Sequence, residues 1–307
     1  MPDYKTLITE MQLFRKLVNS IICLLALNSV TSLNAQQAQV GIGLGMNNYW
    51  GDLQTESLVK NAFILDPAFQ LFYKEHMNEQ LSIRFNLHIG KVHGDDANSS
   101  GEGRQSRNLN FNSLVTEFTI SLEYALWDIR KEKYNWTPYA GVGVGIFRFN
   151  PKTEFLHPDG RLLNVSLQNI GTEGQGLPGQ ADRYSLTAFS IPVYGGLIFQ
   201  VNDRLSVGLE LILRYTTTDY LDDVSTAYFP IENFPNTEQG QLASFLSNRT
   251  DEFLGLPEND PMSIRDAQLR GSAEANDFFH SGMISIYYRL ETGIFGRNSG
   301  GVDCYTF

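Results

Sequence analysis

The chain has 307 residues and a formal net charge of −11, with only 19% charged residues, 12% aromatics and 27 glycines. Without a basic stripe to neutralise phosphates, an acidic chain of this kind excludes nucleic acid as a partner. Sparse charge combined with frequent aromatics and glycine is a mixture found in barrel proteins rather than in water-soluble enzymes.

The N-terminus reads as an export signal over residues 1–35. A short basic region, MQLFRK (11–16), precedes the apolar LVNSIICLLALNSV (17–30), and SLNA (32–35) ends in a small residue before Gln36. The apolar run is too short and too polar for a membrane helix. Cys23 lies inside it and away from the cleavage point, so a lipoprotein is not expected. Processing would leave only Cys304, and no internal disulfide can form.

Eight segments then alternate with a period of two: 39–50, about 62–74 (weakened by Pro67), 80–92, 112–127, 137–149, 184–201, 204–217 and 277–291. In the first, Val40, Ile42, Leu44 and Met46 oppose Gly41, Gly43 and Gly45. In the fifth, Val142, Val144 and Ile146 oppose Gly141, Gly143 and Gly145. The seventh, LSVGLELILRY over 205–215, is strongly apolar yet has Glu210 and Arg214 set into it. Each segment can cross a bilayer core as a tilted strand, which takes about 9–11 residues. Short connections (EHMNEQ, DIRKEKYNW, Asn202-Asp203) alternate with long ones, the last two at about 150–183 and 218–275. The pattern predicts an all-β fold: an eight-stranded antiparallel transmembrane β-barrel in the outer membrane over 36–291, with short periplasmic turns and long extracellular loops. Residues 292–307 form a C-terminal periplasmic tail. A soluble β-sandwich would also alternate, but its outward face should be polar.

By parity and height, Arg84, Glu123 and Arg289 share the periplasmic half of the lumen. An eight-stranded barrel encloses only enough space for side chains. The glycines of the first and fifth strands are therefore expected to make room for an ion-paired plug of Arg84, Glu123 and Arg289, and the barrel is expected to be closed.

The glycine runs GIGLG (41–45) and GVGVG (141–145) lack nucleotide-binding spacing and no helix follows them. The five histidines show no metal-ligand spacing, and the acidic stretch 219–225 lacks the calcium-loop glycine and terminal glutamate. No nucleophile–base set has recognisable spacing. The expectation is a non-enzymatic chain without metal or cofactor.

Polar motifs gather where the topology places the outer rim: NNYWGDL (47–53), RNLNF (107–111), GTEGQG (171–176), TDYLDDVS (218–225) and LRGSAEANDFF (269–279). The rim set is Gly51, Asp52, Arg107, Asn108, Glu173, Gln175, Asp219, Tyr220, Asp222, Asp223, Arg270 and Gly271. Arg107 and Arg270 lie within reach of its acids, which predicts loops folded on one another by charge-assisted bonds.

The same motifs carry a resemblance. NYWGDL, RNLNF, TPYAGVGVGIFRFNP, GTEGQG, TDYLDDVST, RGSAEANDFF and a terminal CYTF, in that order, resemble the PorG family of Bacteroidota outer-membrane barrels. Two departures are Arg270-Gly271-Ser272, where the family has Arg-Gly-Asn, and Phe278-Phe279 in place of Trp-Tyr. The resemblance implies a component of the type IX secretion system, anchoring a periplasmic ring made of a lipoprotein and its partner protein. Docking would then use the short turns and the tail. Arg130, Lys131 and Lys133 are the candidate contacts, as a basic patch on an acidic protein. The rival expectations are a small transport pore and a lipid-modifying barrel enzyme.

Overall fold

The computed structural model describes residues 38–53, 66–99, 101–129, 134–156, 160–257, 260–266 and 268–290. The expected leader, the Arg130, Lys131 and Lys133 patch and the C-terminal tail lie outside the described residues.

Ten strands follow in chain order: β1 (Ala38–Trp50), β2 (Asp66–His76), β3 (Leu81–Asp95), β4 (Asn110–Ala125), β5 (Trp136–Arg148), β6 (Lys152–Leu156), β7 (Leu162–Ser166), β8 (Thr187–Gln200), β9 (Leu205–Thr216) and β10 (Phe278–Leu290). Eight of them close a ring in the order β1-β2-β3-β4-β5-β8-β9-β10 and back to β1, every pair antiparallel. Closure leaves no free edge among these strands, the condition for a sheet to live in hydrocarbon. The short β6–β7 hairpin stands outside the ring in the third long loop and touches it at Asn112↔Lys152. Sequence periodicity left this hairpin unassigned, because two five-residue strands are too short to show alternation.

The eight segments read from the sequence are the eight barrel strands, with ends shifted by a few residues. Pro67 is accommodated next to the first residue of β2, at the rim opposite Met46, where a missing N–H is tolerated. Two short turns share one device. Asn78 Oδ1 accepts from the backbone N–H of Gln80 and Leu81 at 2.9 and 2.7 Å, and Asn202 Oδ1 accepts from those of Arg204 and Leu205, both at 2.9 Å.

Alternation sorts the side chains as expected. The outer wall exposes Ile42, Leu44, Val144 and Ile284, with Leu44 68% and Val144 67% exposed. A water-soluble sheet would not present so continuous an apolar band. Aromatic side chains flank it at both ends. At the extracellular end Trp50 stacks on Phe278 at 5.4 Å, and Tyr215 lies 6.1 Å from the same ring. At the periplasmic end Trp127 packs edge-on against Trp136 at 5.1 Å, with Tyr134 beside both. An apolar belt between two aromatic girdles on a closed antiparallel barrel is the physical signature of an outer-membrane protein. The chain is an outer-membrane barrel.

Candidate functional site

The lumen is filled in two ionic layers. In the periplasmic half, the Arg84 guanidinium forms a two-pronged pair with the Glu210 carboxylate, Nη2 lying 3.2 Å from Oε1. Tyr139 Oη and Gln70 Nε2 donate to the same carboxylate at 2.7 and 3.1 Å. Lys74 Nζ pairs with Glu123 at 2.7 Å, and Arg84 lies 3.9 Å from the other Glu123 oxygen. Aromatic faces complete the enclosure, with Arg84 4.2 Å from the centre of the Phe72 ring and Lys74 5.0 Å from that of Tyr287.

This revises the expected plug. Arg84 and Glu123 belong to it, but the principal partner of Arg84 is Glu210 and that of Glu123 is Lys74. Arg289 is half-buried near the periplasmic end of β10, where its backbone N–H donates to Arg204 O at 2.9 Å. Glu210 sits at the same inward parity as Ser206 and Gly208, so the signal was present. Lys74 was hidden by its place near a strand end. The glycines make room for rings and for polar side chains alike: a Cβ on Gly41 would lie 2.2 Å from Phe72 and one on Gly141 2.4 Å from Tyr194, while one on Gly43 would lie 2.5 Å from Ser285 Oγ and one on Gly145 2.5 Å from Ser190 Oγ and 3.2 Å from Glu117.

The second layer lies further out. Arg214 Nε donates to Glu117, and its Nη1 donates to Ser281 Oγ at 2.6 Å. Ser281 passes the chain on to Asn47 Oδ1 at 2.7 Å, which also meets His88 Nε2 at 3.1 Å. The two layers set Lys74, Arg84 and Arg214 against Glu117, Glu123 and Glu210. Buried charge is thus balanced, as a low-dielectric lumen requires. Between the layers a void of about 10 Å³ has room for one water.

Above the ionic layers the loops form a cap. Among the described residues it contains four α-helices, α1 (Glu102–Arg107), α2 (Leu167–Ile170), α3 (Glu238–Ser247) and α4 (Thr250–Leu254). α3 begins at Thr237, whose hydroxyl accepts from the Gly240 N–H at 3.1 Å. An apolar core that includes Phe111, Phe147, Phe155, Leu221, Leu246 and Phe279 joins the cap to the barrel mouth.

The predicted rim residues meet in this cap. Arg107 grips Asp96 through Nε and Nη2 at 2.6 and 2.7 Å, and also donates to the carbonyls of Asp52 and Arg270. Arg270 donates to Glu173 Oε1 at 3.0 Å and to Asp223 O at 2.6 Å. Glu173 in turn accepts from the backbone N–H of Ser225 and Thr226 at 3.0 and 3.2 Å. Asp223, held at φ 72°, accepts from Thr172 and from Tyr184 Oη, the latter at 2.7 Å. Tyr184 stacks on Tyr220 at 4.5 Å. Gln175 Oε1 accepts from the Glu173 N–H at 3.0 Å. Asn108, also left-handed, reaches Glu252 of α4 at 3.1 Å. Asp52 accepts from the Ser272 N–H at 2.9 Å, and Gly271 lies so close that a Cβ there would be 2.5 Å from that carboxylate.

At the centre of this cap, sequence reasoning named Gly51 and Asp222 but missed their partners Tyr49 and Asp277. Tyr49 Oη lies 2.6 Å from Asp222 and 3.0 Å from Asp277, and the two carboxylates also accept from the backbone N–H of Leu53 and Leu221. Gly51 is glycine because a Cβ would fall 1.9 Å from both Asp277 and the Tyr49 hydroxyl. Burial pushes Asp222 up to about 8 and raises Asp277 well above the usual carboxylate range, the nearby Asp222 adding to the effect. Burial also raises Asp223 to about 6 against the pull of Arg270, and Asp219 to about 7.

The family described as "Domain of unknown function (DUF6089)" matches residues 15–160. No curated protein matches the chain. Among solved structures, the chain is similar to the attachment invasion locus protein Ail of Yersinia pestis (9% identity, covering 84% of this chain and 100% of that one, TM-score 0.37). It is likewise similar to Neisserial surface protein A (7%, 84% and 98%, 0.38) and to the outer membrane protein OprG of Pseudomonas aeruginosa (10%, 83% and 96%, 0.35). The barrel assignment rests on the closed strand register of the chain itself.

Proposed function

We propose that the chain is a non-catalytic scaffold of the outer membrane, a component of the type IX secretion system that anchors or organises its periplasmic ring. The observation that carries the scaffold reading is the lumen, occupied by two charge-balanced layers under an interlocked cap. Such an interior is suited to rigidity rather than to passage. Among the described residues, the buried acids of the cap are directed at donors of the cap itself. The secretion reading rests on the ordered motifs that resemble the PorG family. Several of their residues, among them Arg107, Glu173, Asp223 and Arg270, build the cap, so the resemblance extends to residues with a defined structural role.

In this reading the periplasmic end presents the docking surface, with Arg130, Lys131 and Lys133 in the β4–β5 turn steering an acidic partner. The test is a tagged pull-down from detergent-solubilised outer membrane, with co-purifying proteins identified by mass spectrometry. Recovery of the ring lipoprotein and its partner supports the reading. Charge reversal at Arg130, Lys131 and Lys133 should then abolish the association and leave the barrel folded. Recovery of the barrel alone, even after cross-linking, contradicts it.

A further inference from the structure

Three cations stand together on the outer wall, at the extracellular edge of the apolar belt. The outward positions Asn112, Leu114 and Thr116 of β4 are each paired across a ladder with one of them. Lys152 of β6 faces Asn112, Lys91 of β3 faces Leu114 and Arg148 of β5 faces Thr116. Alternate residues of a strand are about 7 Å apart and neighbouring strands about 5 Å, so the three heads serve one patch. All three side chains are exposed, and among the described residues none of them makes an ion pair. Together with Asn150, Asn164 and Leu114 they line a cleft of about 370 Å³. The nearest acid along β6, Glu154, accepts from Asn164 Nδ2 at 3.1 Å. Directly below, Phe118 and Ile146 are outward, exposed and paired with each other.

A single lysine at a membrane boundary needs no ligand, because it extends its head into water. Three unpaired cations from three strands, converging with asparagine amides over one cleft in an acidic protein, do need one. The geometry points to a binding site for the phosphorylated sugar headgroup of an outer-leaflet glycolipid. Its phosphates are held by Lys91, Arg148 and Lys152, and its acyl chains lie along Leu114, Phe118 and Ile146. The apolar wall leading out of the cleft favours a lipid over free phosphate, which would have no use for it. Arg148 supplies a planar fork and the two lysines supply point charges.

The test uses the full chain folded in detergent micelles and native mass spectrometry, with bis-phosphorylated lipid A, dephosphorylated lipid A and inorganic phosphate as probes. Bis-phosphorylated lipid A should bind about tenfold or more tightly than the dephosphorylated form. Lys91→Gln, Arg148→Gln and Lys152→Gln combined should erase the difference, and each alone should reduce it. The single variants carry the test if the combined one does not fold, folding being read from gel mobility without heating. Equal binding of the two lipids, unchanged binding by the variants, or displacement of the lipid by millimolar phosphate would each overturn the assignment.

Discussion

The hydroxyl of Tyr49 lies 2.6 Å from a carboxylate oxygen of Asp222. The same hydroxyl lies 3.0 Å from Asp277, and it has one proton to give. If both contacts are hydrogen bonds, one of the two acids must carry a proton and donate it to the Tyr49 oxygen. Their raised pKa values agree with that proton count.

The pH dependence of the cap follows. In the unfolded chain both acids titrate near 4, and in the folded cap Asp222 titrates at about 8, with Asp277 also raised. A folded pKa above the unfolded one means the bound proton favours the fold. This contribution is complete below about pH 4 and lost as pH rises through about 8. Limited proteolysis of the 217–277 loop in the folded barrel should therefore be slower at pH 5 than at pH 9. Asp277→Asn, which fixes the protonated pattern, should flatten the difference.

The lumen pairs predict a non-additive cycle. Arg84→Ala leaves Glu210 buried with only Tyr139 and Gln70 as donors, and loss of one partner of a buried pair costs about 3–5 kcal/mol. Arg84→Ala combined with Glu210→Ala should be less damaging than Arg84→Ala alone. Urea unfolding in detergent, followed by tryptophan fluorescence, gives the comparison.

Close approach at Gly141 predicts a size-dependent rescue. Gly141→Ala drives a methyl group into the Tyr194 ring and should cost about 1–3 kcal/mol. Adding Tyr194→Leu should recover part of that loss in the same unfolding assay.

The Arg270 side chain ties the third long loop, through Glu173, to two distant segments of its own loop, through the Asp223 and Ser247 carbonyls, so Arg270→Ala should loosen the cap and leave the barrel intact. Proteolysis of the loops should accelerate, while the unheated gel mobility of the barrel stays that of the wild type. Arg270→Lys should not restore protection, because a point charge cannot reach Glu173, the Asp223 carbonyl and the Ser247 carbonyl together.

Much of this was legible in the sequence, for physical reasons that differ by element. The barrel strands showed because lipid on one side and a polar lumen on the other impose a strict two-residue period, as in Val142–Gly145. The rim motifs showed because long loops that need charge-assisted bonds carry acids and arginines in a sequence otherwise poor in charge. Pairings did not show. Parity places Arg84 and Glu210 inside, but only the strand order, with β9 across the lumen from β3, makes them partners. Tyr49 reads as one more aromatic at a strand end, and Asp277 as the first residue of the last alternating segment. Their contact spans 228 positions and exists only once β1 has paired with β10.

Closure of the barrel by its own side chains can be read from single-channel conductance in planar bilayers. Closure predicts no steady conductance from the wild-type protein at neutral pH. It predicts openings only when both ionic layers are removed, as in Lys74→Ala, Arg84→Ala, Glu117→Ala, Glu123→Ala, Glu210→Ala and Arg214→Ala combined. A stable wild-type conductance, unchanged by that variant, would contradict it and favour a transport pore.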